Sequence, residues 1–518
     1  MKQLFIILLS FALFTGNVKG QATDMLWGPD LKLKGTMNII GEQNGGVFAL
    51  RYYKSNVFLE KYDGEEMTKD FSYPLELKIE GSRKKNMSIE GTYFLNGNIV
   101  LLASYYDKHD DKNILKATIF TEGGDLVKDW EVIAAFHADS KKNTGDYIVS
   151  FSPDKKSVMV AANLPYEKKK NERYQIYMFN QNLEKQWQKE FVLPYADNQV
   201  SIYSYVVDNN RVAHMLASVA PATRKERKQA RKAKEDADKQ LLVTYDGAND
   251  KTSEYELKLK NKTIMAARLR LDSANNVIIA GFYHDNLNKK AALSGVFYAR
   301  MQPGADELDV LNTNEFDKKF VAKLIGDKRA KKGKEISSAF VLRNLIPTKD
   351  GGLIAIAEEY YIVEHCSTNP KTGVQTCTYT YHFNDIIVTG INNQGEIIWS
   401  NVIKKTSYDG ANGYYLSYGV QVTDSKVNLI FLDNKKNYNE YGERIDDSKL
   451  KGVNVRKSVA TCASVGLDGA VEYSVLYDVR ATKITMRPRI SVQLNKNTMI
   501  AYGRGKKRSA VHLGRISF

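Results

Sequence analysis

The chain has 518 residues, 43% of them apolar and 26% charged, and 75 Lys and Arg against 60 Asp and Glu give it a formal charge of +15. That balance can build a core and excludes a disordered tail, while 10 Pro and 35 Gly exclude a collagen-like or linker-rich chain. A length like this ordinarily means about three domains, unless the chain repeats.

Met1-Lys2 is a short basic start, residues 4–14 are apolar, and Val18 and Gly20 are small residues before Gln21. This is the pattern of a secretory signal peptide over residues 1–20, with an apolar run too short to span a bilayer. No Cys stands at the cleavage position, which argues against a lipoprotein anchor. The remainder, 21–518, is expected to be one domain with inserted loops at 221–240, 360–384 and 434–457. The expected location is outside the cytoplasm, periplasmic or associated with the outer membrane.

One pattern recurs eight times: a strand, a tight polar turn, and a strongly apolar strand. The turns are centred on Gly45, Gly97, Asp154, Asn209, Asn275, Gly351, Ser425 and Lys496, spaced 52 to 76 residues apart. Gly, Asn and Asp supply the backbone conformations that a tight hairpin needs. The strands that follow, such as Ile99-Val100-Leu101-Leu102 and Val277-Ile278-Ile279-Ala280, are continuous apolar runs, which implies burial on both faces. A second hairpin follows each of the first seven, with turns such as Tyr62-Asp63-Gly64 and Leu467-Asp468-Gly469. Four short antiparallel strands (a to d) at this period predict an all-β fold, an eight-bladed β-propeller, with seven blades as the alternative.

The eighth unit ends after its third strand, at residues 510–518, and an orphan strand opens the mature chain at 25–34. Closing the last blade with that first strand removes two open sheet edges. All four tryptophans, Trp27, Trp130, Trp187 and Trp399, fall at the fourth-strand position, where a bulky ring is expected to wedge between blades. Gly395-Glu396-Ile397-Ile398-Trp399 resembles the Gly-x-x-x-Trp docking motif of PQQ-like propeller repeats. That class includes the quinoprotein dehydrogenases and the propeller lipoprotein of the outer-membrane assembly machine. The resemblance implies a shape; the adjacent Cys-Cys pair of the quinoprotein enzymes is missing from this sequence, so no cofactor is expected.

Because the strands alternate in direction, the a–b and c–d turns share one face, and the b–c and d–a loops share the other. Nearly every insertion falls on the second face, where binding usually resides. That face is basic: Lys168, Lys169 and Lys170; Arg224, Lys225, Arg227 and Lys228 within a segment (224–239) of good helix formers; Arg329, Lys331 and Lys332; and Lys506, Lys507 and Arg508. Tyr52, Tyr53, Tyr105, Tyr106, Tyr166, Tyr283, Tyr360 and Tyr361 lie at or near the ends of second strands on the same side. Two readings stand for the cations: loops that keep a surface solvated, or attraction to an anionic partner. Cys366 and Cys377 flank a turn-rich segment and are expected to staple a hairpin tip as a disulfide, and Cys462 is expected to be a buried thiol.

No phosphate loop, nucleophile elbow or metal-ligand spacing is present, so no metal is expected, and His214 reads as a core residue. Asp272-Ser273-Ala274 resembles an O-glycosylation acceptor motif of bacterial envelope proteins. The resulting expectation is a non-catalytic binding or scaffolding propeller of the cell envelope. Its expected partner is a protein complex at the outer membrane, with an anionic lipid or glycan as a further ligand and nucleic acid disfavoured. The rivals are a polysaccharide lyase or glycoside hydrolase working at the channel, and a glycan or peptidoglycan binder.

Overall fold

In the computed structural model, which describes residues 24–79, 86–286, 292–410, 412–507 and 510–518, the strands form eight antiparallel sheets. Seven sheets are built from consecutive strands: Thr36–Gln43 to Lys69–Pro74, Ser88–Leu95 to Leu126–His137, Asp146–Phe151 to Lys185–Ala196, Val200–Val207 to Lys251–Leu257, Lys262–Leu271 to Val310–Glu315, Phe340–Pro347 to Ile397–Ile403, and Gly419–Val422 to Val471–Asp478. These are blades 1 to 7. The first strands of blades 1 to 6 touch in turn around the axis, and that of blade 8, Val492–Asn495, meets those of blades 7 and 1. The protein is an eight-bladed β-propeller. The long fifth, sixth and seventh units carry insertions rather than an extra blade.

Ring closure follows the sequence reading. Blade 8 is made from Val492–Asn495, Thr498–Arg504 and Val511–Ser517, and its outer strand is Asp24–Trp27, paired antiparallel from Asp24 opposite Ser517 to Trp27 opposite Gly514. The regular strand is shorter than the expected 25–34, because Pro29 has no N–H to give the ladder. Pairing continues irregularly, with Gly28 N–H donating to Leu513 O and Leu31 N–H to Val511 O, both at 2.9 Å. The expected signal peptide, residues 1–20, lies outside the described residues.

Second and third strands of the blades are buried on both faces, as the unbroken apolar runs require. Between blades, rings meet turns. Trp399 of blade 6 lies against Gly469 in the c–d turn of blade 7, where a Cβ would come within 2.7 Å of the indole, and its Nε1–H donates to Leu467 O at 2.8 Å. Gly469 also has φ +84°, so two constraints exclude a side chain there. Trp187 meets Gly247 of blade 4, and Phe71 meets Gly124 of blade 2, in the same way. Gly395, which opens the blade 6 motif, packs beneath Tyr298 and Asn312 of blade 5. Trp27 stands edge-on to Tyr477 of blade 7 with ring centroids 5.5 Å apart, and Trp130 packs on the apolar core of blades 1 and 2.

A chain beginning at residue 35 is expected to melt about 5–10 °C below one beginning at residue 21, since it loses an outer strand and the burial of Trp27. Differential scanning calorimetry of the two chains checks this, and equal melting temperatures would show that the ring does not need its closing strand.

Candidate loop-face binding site

The tight a–b and c–d turns occupy one face, and the insertions gather on the other. From blade 6 a hairpin of two long strands, Leu353–Thr368 and Gln375–Ile391, runs far past the blade. Cys366 and Cys377 are cross-strand partners near its tip, and their sulfurs are joined in a disulfide. At its base Tyr361, His382 and Tyr408 form a ladder of rings with centroids 4.5 and 5.7 Å apart. Tyr361, Ile362, Tyr379, Tyr408, Tyr414 and Tyr441 are exposed on this arm and the neighbouring loops.

Residues 224–233 form the expected helix, Arg224–Ala233. Thr223 caps it by accepting the Glu226 N–H, Lys234 closes it in the left-handed conformation, and none of its residues is buried. Arg224, Lys225 and Lys228 are exposed on it, and Arg227 reaches Asp238 at 3.5 Å. In blade 3, Lys168 and Lys169 turn outward in the b–c loop, whereas Lys170 pairs with Glu167. Lys170 and then Arg173 hold the Glu167 carboxyl below its ordinary range. Arg329 and Lys331 belong to the short helix Asp327–Lys331, which Lys332 follows. Lys331 lines a cavity of about 640 Å³ that also contains Asp327, Glu315 and Glu335, so its surroundings are mixed in charge. Lys506 and Lys507 stand at the b–c loop of blade 8, and Arg508 lies outside the described residues. The predicted cations thus ring the face over blades 3 to 6 and blade 8 and form no single patch.

The tyrosines divide. Tyr166 and Tyr361 are exposed, but Tyr283 is buried in the core of blades 4 and 5, where its ring serves the packing of a strongly apolar strand. Cys462 is buried, and burial pushes its thiol up to about 12. His214 is a core residue hydrogen-bonded to Thr244 at 3.1 Å. Asp272 is buried and accepts N–H bonds from Ala274 and Asn276, so Asp272-Ser273-Ala274 serves as a turn.

Three features escaped the sequence reading. Lys34, Arg487 and Arg504 join Lys506 and Lys507 around one cavity of about 580 Å³, although three separate stretches of chain supply them. Glu90 and Asp146, from the innermost strands of blades 2 and 3, line another cavity of about 520 Å³ beside Tyr105, Tyr106 and Lys141. Lys405 and Glu358 form a buried pair at 2.9 Å, with Ser417 donating to the same carboxylate, and this fixes the linker from blade 6 to blade 7.

No protein-family model matches the chain, and no curated protein matches it in sequence. Among solved structures it is similar to the Dos1 propeller, at 8% identity over 95% of this chain and 94% of that one, with a TM-score of 0.46. It is also similar to dipeptidyl peptidase 4 of Porphyromonas gingivalis, at 12% identity over 92% of this chain and 56% of that one, TM-score 0.42. A post-proline cleaving enzyme from Rickettsia typhi matches at 9% identity over 92% of this chain and 57% of that one, TM-score 0.38. The chain spans little more than half the length of either peptidase, and at these identities no chemistry transfers from them. The expectation that this chain is not an enzyme is nonetheless corrected: peptidases are among the structures it matches, and a propeller by itself does not separate binding from catalysis.

Glu172 begins the third strand of blade 3 on the loop face. Burial, and then a hydrogen bond with Asp197 and that residue's charge, push its carboxyl up to about 8. Because this value is raised above the ordinary 4.5, the stability carried by the shared proton is fully present below 4.5 and lost as pH rises through about 8. Thermal melts of wild type and Glu172→Gln from pH 4 to 9 are therefore expected to diverge in the variant's favour toward alkaline pH. Parallel curves would count against the shared proton.

Proposed function

We propose that this propeller is an exported binding and scaffolding protein of the bacterial envelope that docks a protein complex, at the outer membrane, through its loop face. The observation that supports this reading most is the concentration on one face of everything the propeller does not need for its own closure. The projecting hairpin with its exposed rings and the unburied cationic helix Arg224–Ala233 both stand there. Exposed aromatic rings supply contact area at small entropic cost, and unburied cations steer an anionic partner. A rigid disc holds both without strain on the core.

Reversal of Lys168 and Lys169, or of Arg224, Lys225 and Lys228, to Glu is expected to cut recovery of the partner about tenfold or more, with stronger loss at higher salt. The measurement is gentle affinity purification of the chromosomally tagged protein from detergent-solubilised envelopes, with partners quantified by mass spectrometry. Undiminished recovery from both variants would remove the basic face from the interaction.

A second reading rests on Glu90 and Asp146, two carboxylates from adjacent innermost strands that line one cavity with tyrosines. Paired carboxylates on tyrosine-lined ground suit a glycoside hydrolase or polysaccharide lyase. Under this reading Glu90→Gln and Asp146→Asn each abolish turnover of an envelope polysaccharide while leaving partner recovery intact. Absence of turnover by the wild type across a panel of acidic and neutral polysaccharides would end it.

A further inference from the structure

Three successive d–a linkers meet at the loop-face ends of the innermost strands, and two of them bring charge. Lys34 stands just before the first strand of blade 1, Tyr415 before that of blade 7, and Arg487 before that of blade 8. The b–c loop of blade 8 adds Arg504, Lys506 and Lys507. Together they line a cavity of about 580 Å³ holding five cationic side chains, and no carboxylate among the described residues lines it.

Arg487 shows that this charge is built in. Its backbone N–H donates to Tyr502 O at 2.8 Å. Its guanidinium is held over the rings of Tyr414, Tyr415 and Tyr502, at 4.7, 5.4 and 5.6 Å from their centroids. Its Nε is buried with no hydrogen-bond partner among the described residues. Arg504 is oriented by the same Tyr502 ring, at 5.5 Å, and donates from Nη2 to Gly35 O at 2.9 Å. Aromatic faces therefore direct the Arg487 guanidinium, and a ring with a backbone carbonyl helps to direct that of Arg504. A desolvated cation costs stability unless an anion meets it.

We propose that this cavity binds a phosphorylated ligand carrying two or more negative charges, of sugar-phosphate or diphosphate size. A lone carboxylate offsets one charge, whereas a phosphate monoester or diphosphate carries two or three and presents the oxygen geometry that a guanidinium fork accepts in pairs. The volume lies in the range of small-molecule sites and exceeds what a single phosphate fills. The site is independent of the macromolecular docking reading and stands if that reading fails.

Isothermal titration calorimetry of the mature full chain with pyrophosphate tests it. The expected result is saturable one-to-one binding, about tenfold tighter than inorganic phosphate and weaker at higher salt. Arg487→Met is expected to weaken it about tenfold or more, and Lys506→Gln with Lys507→Gln about fivefold. The exposed lysine pair carries the test alone if Arg487→Met melts early. Lys155→Gln with Lys156→Gln, on the opposite face, should bind as wild type does. Flotation with phosphatidylglycerol–phosphatidylcholine vesicles, competed by pyrophosphate, would assign the phosphate to a lipid headgroup. Pyrophosphate binding without flotation would assign it to a soluble ligand. No saturable heat with pyrophosphate, or equal weakening in the variants of the opposite face, overturns the proposal.

Discussion

The disc depends on one backbone pairing, that of Asp24–Trp27 with Val511–Ser517. A sheet of four strands has two edges, and a row of such sheets becomes a ring only if the first and last segments of chain share a blade. That pairing fixes the order of the blades around the axis, because every other strand is paired within its own stretch of sequence. It also places Trp27 of blade 8 edge-on to Tyr477 of blade 7. A d-strand ring set against the c–d turn of the next blade, as Trp399 is against Gly469, recurs with Trp187 against Gly247 and Phe71 against Gly124.

Much of this was legible in the sequence because hairpins are local. Each tight turn needs Gly, Asn or Asp within a few residues of an apolar run, so Asn44-Gly45 and Asp350-Gly351 mark their blades without reference to the rest of the chain. The outer tryptophans were equally plain, since a rare residue at a repeated position has few explanations. The cysteine pair was readable because both residues lie on one hairpin.

The sites were less legible, for a physical reason. Lys34 and Arg487 are more than four hundred residues apart in sequence, and only ring closure makes them neighbours. Glu90 and Asp146 likewise meet only across a blade boundary. Charge runs such as Lys168 to Lys170 are conspicuous in a sequence, but the pairing of Lys170 with Glu167 neutralises part of the signal. Tyr283 sits close to the rim end of an apolar strand, but burial runs through it and eases only at His284 and Asp285.

The blade 6 hairpin sets a length scale for recognition. From Val363 to Thr368 its strand runs past the last pairing of the hairpin with Tyr408 and Asp409, a span of roughly 20 Å at the rise of an extended strand. Mobile ions damp a surface potential within about 8 Å at physiological ionic strength. The hairpin tip therefore lies outside the electrostatic reach of the disc that carries it. What touches the protein first at that distance meets rings, a disulfide and the tip's own Glu364 and Lys371, and is sorted mainly by shape; the cations of the disc act only on what has already come close.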